Sequence, residues 1–147
     1  QILRSMTPPN FEKFSLLLIR ENGFEDLKLT GGSKDEGIDG SSVLRINPFV
    51  SFRVLFQCKR YGEKSSVSRV QVADFRNAMI GRADKGIFIT TSYFTKDAEK
   101  EASRDGAPPI ELVDSNKLLD MIEKSALGVK PVITYEVDYN FFEVYKV

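Results

Sequence analysis

Hydrophobic and polar positions change period several times along the chain, and each change marks an element. Thr7 before Pro8 reads as a helix start, a capping hydroxyl ahead of a proline that the first turn accepts, and Gly23 is the matching stop. On the wheel of that helix Lys13 and Arg20 share one face, while Phe11, Phe14 and Leu18 form the opposite stripe. Glu12 falls between Ile19 and Leu16, on an apolar flank where a carboxylate needs a partner. A short strand near Phe24 to Leu29 leads into a loop punctuated by Gly31, Gly32 and Gly37, and a second strand runs from about Ile38 to Ile46. Asn47-Pro48 is a turn signal.

The next strand, Ser51 to Arg60, alternates with a period of two. Phe52, Val54, Phe56 and Cys58 share one face, and Arg53, Leu55, Gln57 and Lys59 the other. Closing a hairpin through Asn47 to Val50 and pairing Ile46 with Ser51 gives index sums near 97, which sets Asp39 beside Cys58 and close to Gln57 and Lys59. A slip of one residue decides whether Asp39 shares their face, and the sequence leaves that register open.

Ser68 caps a helix to about Ile80, on which Gln71 lies between Phe75 and Ala78. Lys85 to Thr91 reads as a buried strand, Thr95 caps a charged helix ending by Gly106, Ile110 to Val113 is a short strand, and Asp114 caps a helix through about Lys124. Val132 to Val147 is rich in β-branched and aromatic residues, with a turn at Asp138 to Asn140, and reads as a β-rich tail. Strands alternating with helices predict an α/β domain with helices on both faces of its sheet.

Composition narrows the chemistry. The 147 residues form one domain, with a core at about 7–125 and a tail at 126–147, and a chain of this length buries roughly 68 to 70% of its unfolded surface. No histidine is present, which excludes Ser-His-Asp hydrolysis, Cys-His proteolysis and imidazole-based zinc sites. The single cysteine, Cys58, precludes an internal disulfide and points to a reducing compartment, the cytoplasm. No apolar run reaches the roughly 18 residues of a membrane span, so no membrane partner is expected. The start at Gln1 suggests a piece of a longer protein.

Charge is balanced overall, 21 basic against 21 acidic residues, but not locally. Arg53 to Arg76 holds six bases and two acids, a net of +4, and Glu111 to Val147 holds four bases and seven acids, a net of −3. Polar residues from separate elements converge on one site, Glu12, Asp39, Gln57 and Lys59, with Gln71 behind them. Two carboxylates and an amide oxygen suit a hard divalent cation such as Mg2+, and metal-assisted hydrolysis is the reaction class this composition leaves open.

At these positions the sequence resembles a known family. Gly37-Ile38-Asp39-Gly40, followed by Gln57-Cys58-Lys59-Arg60-Tyr61, resembles the Asp…Gln-x-Lys form of the PD-(D/E)XK nucleases, in particular the catalytic domain of the Mrr family of restriction endonucleases. Phe11-Glu12-Lys13-Phe14 resembles that family's first-helix motif, and Lys85 to Ser92 with Phe94-Thr95 its strand-to-helix segment. Ile110 to Asp114 resembles its last core strand, and Glu136 to Glu143 the end of the family's namesake.

The resemblance implies a restriction-endonuclease-like three-layer α/β/α fold around a central mixed β-sheet. It implies that Asp39, Gln57, the backbone carbonyl of Cys58 and Glu12 hold Mg2+, for which Mn2+ could substitute, and that Lys59 orients the nucleophilic water. Gln57 replaces the carboxylate usual in the wider superfamily, which removes one negative charge. The implied partner is double-stranded DNA, as the target of a type IV-like restriction endonuclease acting on modified, methylated foreign DNA. Target choice would belong to a separate recognition domain, and cutting two strands suggests a homodimer or higher homo-oligomer. Arg60, Lys64, Arg69 and Arg76, in the basic stretch around Lys59, are expected to contact DNA phosphates. A different class, a non-catalytic nucleic-acid-binding or assembly module of the same fold, and a repair or RNA nuclease are the alternatives.

Overall fold

The computed structural model describes residues 1–30 and 38–147, so the expected loop glycines Gly31, Gly32 and Gly37 lie outside the described residues. In chain order the elements are α1 (Ile2–Ser5), α2 (Pro8–Glu21), β1 (Glu25–Leu29), β2 (Gly40–Asn47), β3 (Val50–Lys59), β4 (Ser66–Val67), α3 (Arg69–Met79), β5 (Lys85–Thr90), β6 (Tyr93–Phe94), α4 (Lys96–Ala102), β7 (Ile110–Val113), α5 (Ser115–Ser125) and α6 (Tyr139–Glu143). Four of the helices begin where a side-chain cap was expected. Thr7, Ser68, Thr95 and Asp114 each accept a main-chain N–H from the first turn, and Ser68 and Gln71 close a reciprocal capping box.

The five-stranded sheet runs β1-β2-β3-β5-β7, with β1, β2 and β3 antiparallel and β3, β5 and β7 parallel. Helices α2 and α5 cover one face, around Phe11, Leu18, Phe56, Ile89 and Leu118. Helices α3 and α4 cover the other, around Leu55, Val72, Phe75, Phe88 and Ala98. This is the expected three-layer α/β/α arrangement on a mixed sheet, and it buries the strand β3 on both sides from Val54 to Cys58.

Two expectations need correction. The β2–β3 ladder pairs Gly40 with Phe56 and Arg45 with Ser51, an index sum of 96, because Ile46 bulges out before Asn47 pairs with Val50. One extra residue in one strand moves the register by one place. The tail expected to be β-rich carries no strand: it is irregular up to Asp138, whose carboxylate caps the short helix α6, and its side chains are exposed. High β-propensity does not make a strand without a neighbour to hydrogen-bond, and no described strand pairs with this segment.

Candidate active site

The site forms where β2 and β3 part. The ladder ends at Gly40, and Asp39 just before it donates its N–H to the Phe56 carbonyl at 2.9 Å. The Asp39 Oδ2 accepts the Cys58 N–H at 2.6 Å, which pins the carboxylate between Gln57 and Lys59 in the chain. Gly40 makes this approach possible. A Cβ on it would lie 2.0 Å from the Phe56 ring, so only glycine lets the ring pack under the residue next to Asp39.

Glu12 reaches the same place from α2, and the charges are mutually felt. Burial raises the Glu12 pKa above its ordinary value, the negative Asp39 raises it further, and Lys59 opposes both. Burial also raises that of Asp39, against the pull of the Cys58 N–H and of Lys59. Glu12, Asp39 and Lys59, from a helix, a loop and the end of β3, therefore feel one another's charge, and Gln57 stands two residues before Lys59 on the same strand. Gln57 is only 6% exposed, and Lys59 is half-buried. The Cys58 thiol points into the core around Phe56 and Ile89, and burial raises its pKa well above the ordinary thiol range, so it is inert packing.

Among the described residues no cluster of three His, Cys, Asp or Glu side chains could cage a metal. The donor set still fits a hard divalent cation. Two carboxylates whose charged forms are penalised by burial, that of Glu12 also by Asp39, gain from a cation beside them, and amide or main-chain carbonyl oxygens such as those Gln57 and Cys58 carry are of the kind magnesium accepts. With only two charged ligands, water or phosphate oxygens must complete the shell.

The outlying residues divide. Gln71 is engaged locally: its amide oxygen accepts the Ser68 N–H at 3.0 Å and its amide nitrogen donates to the Tyr61 hydroxyl at 2.6 Å, so it acts on the segment after Lys59 and not on the carboxylates. Lys64 and Arg69 are exposed, and Arg60 is half-buried with its Nη1 donating to the Arg4 carbonyl at 2.8 Å. Arg76 is not a phosphate contact. It is 3% exposed, pairs with Glu101 at 2.7 Å and donates to the Ala102 and Pro108 carbonyls, locking α3 to α4. A guanidinium enclosed in this way has no face left for DNA.

Sequence reasoning missed a row of hydroxyls. Thr90, Thr91 and Ser92, at the end of β5, are buried, and each spends its hydroxyl on a carbonyl of the segment from Lys59 to Ser65. The signal available was three consecutive hydroxyl residues closing an otherwise apolar strand.

A three-layer domain with acidic residues and a lysine at the parting of an antiparallel hairpin defines the restriction-endonuclease-like class, and solved structures agree. The chain superposes on the DNA modification-dependent restriction endonuclease AspBHI with a TM-score of 0.73 at 24% identity, over 86% of this chain and 34% of that one. It superposes on the MspJI restriction endonuclease, solved in complex with a 27-mer oligonucleotide, with a TM-score of 0.59 at 28% identity, over 76% of this chain and 27% of that one. In sequence it is 32% identical to the type IV methyl-directed restriction enzyme EcoKMrr of Escherichia coli (strain K12), over 96% of this chain and 47% of that enzyme. The model of the Mrr catalytic-domain family, a restriction endonuclease family, matches residues 3–122, and the chain belongs to that family. It spans about half the length of the curated relative it matches.

Proposed function

We propose that this domain is the magnesium-dependent catalytic part of an endonuclease that hydrolyses phosphodiester bonds in double-stranded DNA, acting on modified, methylated DNA. One observation carries the reading: the Asp39 carboxylate, fixed by the Cys58 N–H at 2.6 Å, sits within the field of Glu12 and Lys59, a site built from residues that need no imidazole. The names of the relatives support the substrate class, since they act on modified or methylated DNA.

Asp39, Glu12, the Gln57 amide oxygen and the Cys58 carbonyl would hold the cation. When bound, the ion supplies Lewis acidity and charge neutralisation at the phosphate. Lys59 does what the carboxylates cannot: its ammonium would donate to the attacking water and to a non-bridging phosphate oxygen, and balance the negative charge that grows on the non-bridging oxygens in the transition state. Arg60, Lys64 and Arg69 follow Lys59 in the chain, half-buried or exposed, and would contact the flanking backbone. Two strands require two such centres, and we assign the second to another copy of the chain.

The test is to incubate the full-length protein and magnesium with methylated duplex, unmethylated duplex and RNA of the same sequence. Selective cleavage of the methylated duplex supports the reading. Cleavage of RNA alone would move the domain to another nuclease class, and binding without cleavage of any of the three to a non-catalytic module.

A further inference from the structure

Beyond Lys59 the chain leaves the sheet, and its backbone groups lose their strand partners. The parallel β3–β5 ladder ends at the pair Lys59 and Thr90. From there, side chains replace it. Thr90 Oγ1 donates to the Lys59 carbonyl at 2.8 Å, and the Thr91 N–H reaches the same oxygen at 3.3 Å. Thr91 Oγ1 then serves both main-chain groups of Tyr61, accepting its N–H at 2.8 Å and donating to its carbonyl at 2.7 Å. The Ser92 hydroxyl donates to the Ser65 carbonyl. Thr90, Thr91 and Ser92 are each no more than 2% exposed, so these are enclosed contacts and not surface ones.

A carbonyl inside a strand needs no hydroxyl, and three in a row would be an unusual way merely to fill core volume. A threonine is costly to bury without a partner, and apart from the Ser92 N–H that Thr90 Oγ1 accepts at 3.2 Å, the partners of these hydroxyls all lie on one segment. The segment is the one that carries Lys59, Arg60 and Lys64.

We propose that Thr91, flanked by Thr90 and Ser92, is a positioning residue of the nuclease site: its hydroxyl clasps both main-chain groups of Tyr61, and the clasp fixes the β3 end from which Lys59 reaches the phosphate. This rests on the endonuclease reading above. The mechanism is geometric. The Lys59 side chain hangs from a backbone whose carbonyl side is fixed by Thr90 and Thr91, while Tyr61 is held at its main chain by Thr91 and at its hydroxyl by Gln71. Loosening that backbone by about 1 Å displaces the amine from the reacting phosphate, a misplacement that costs up to about 100-fold in rate.

The experiment compares Thr91→Val, which keeps shape and removes the hydroxyl, with Thr91→Ser, which restores it. Thr95→Val serves as the control: it removes a half-buried threonine hydroxyl that caps α4 and touches none of the site residues. All are made in the full-length protein and assayed with magnesium and cleavable duplex, well below the melting temperatures. The expected result for Thr91→Val is a fall in kcat of about 10- to 100-fold with KM for DNA little changed, most of it recovered by Thr91→Ser. Thr95→Val should melt lower and keep its kcat.

Hydrogen exchange supplies a readout independent of cleavage. The Tyr61 amide should lose protection in Thr91→Val and keep it in Thr91→Ser and Thr95→Val. Equal kcat in Thr91→Val and Thr95→Val would overturn the positioning role, and an unchanged Tyr61 amide would overturn the clasp itself. A wild-type protein that cuts no nucleic acid with any divalent metal would instead overturn the endonuclease reading, and with it the role in positioning, while leaving the amide result to decide whether the clasp exists.

Discussion

The Asp39 carboxylate and the Cys58 main-chain N–H are joined at 2.6 Å across the mouth of the β2–β3 hairpin. Asp39 is thereby tied to the one residue that lies between Gln57 and Lys59, and its place beside them is set by the main chain of β3. The price of this arrangement is a charge held partly out of water.

That cost predicts a pH effect. Burial raises the pKa of Asp39 from 3.8 and that of Glu12 from 4.5. A carboxyl with a raised native pKa binds its proton more tightly when folded, so its stabilising contribution is complete below the unfolded value and is lost as pH rises through the folded one. In the presence of chelator, Asp39→Asn is expected to melt above the wild type at pH 7 and to lose that advantage near pH 3. Thermal melts at the two pH values check this, and a variant less stable than wild type at pH 7 would contradict it.

Gln57→Glu adds the carboxylate the site lacks. Its expected effect is tighter magnesium binding, by about tenfold or more for one added unit charge close to the ion, with lower stability when the metal is removed. Calorimetric titration of magnesium into both proteins measures the difference, and equal affinities would place Gln57 outside the metal shell.

Gly40→Ala puts a methyl group 2.0 Å from the Phe56 ring, closer than any real contact. Either the ring or the strand end must move, at a cost of about 1 to 3 kcal/mol or more. Because Asp39 is the adjacent residue, the loss of activity should exceed the loss of folded protein. Denaturant unfolding alongside cleavage rates tests both parts.

Arg76→Ala leaves Glu101 buried with only the more distant Arg104, at 3.6 Å. Breaking a buried pair from one side costs about 3 to 5 kcal/mol. The salt dependence of DNA binding should stay as in the wild type, since Arg76 offers nothing to a phosphate. A reduced salt slope with unchanged stability would restore the phosphate-contact role.

Local patterns carried most of the architecture. Caps at Thr7, Ser68, Thr95 and Asp114 marked helix starts, and the alternation through β3 marked which residues lie on which face. Of the candidate site, Glu12 was readable as a polar group on an apolar flank of its helix, and the approach of Asp39 to Cys58 was readable from the hairpin spacing. What failed depends on partners distant in sequence. Ile46 bulges at the turn, and no pattern of side-chain types announces one extra residue. The β-propensity of Val132 to Val137 is real, but a strand also needs a neighbour. Arg76 was readable: it stands four residues after Val72 and three before Met79, on the buried stripe of α3, just as Glu101 stands between Ala98 and Ala102 on α4. Opposite charges on the apolar stripes of successive helices signal a buried pair, whereas its place in a basic stretch suggested DNA.

The most direct test of the central claim is single-turnover cleavage of methylated duplex DNA by the full-length protein with magnesium, beside Asp39→Ala and Lys59→Ala, with DNA binding measured for all three. The account predicts cleavage by the wild type, loss of roughly 100-fold or more in each variant, and duplex binding retained in both. Cleavage by both variants at the wild-type rate would contradict it.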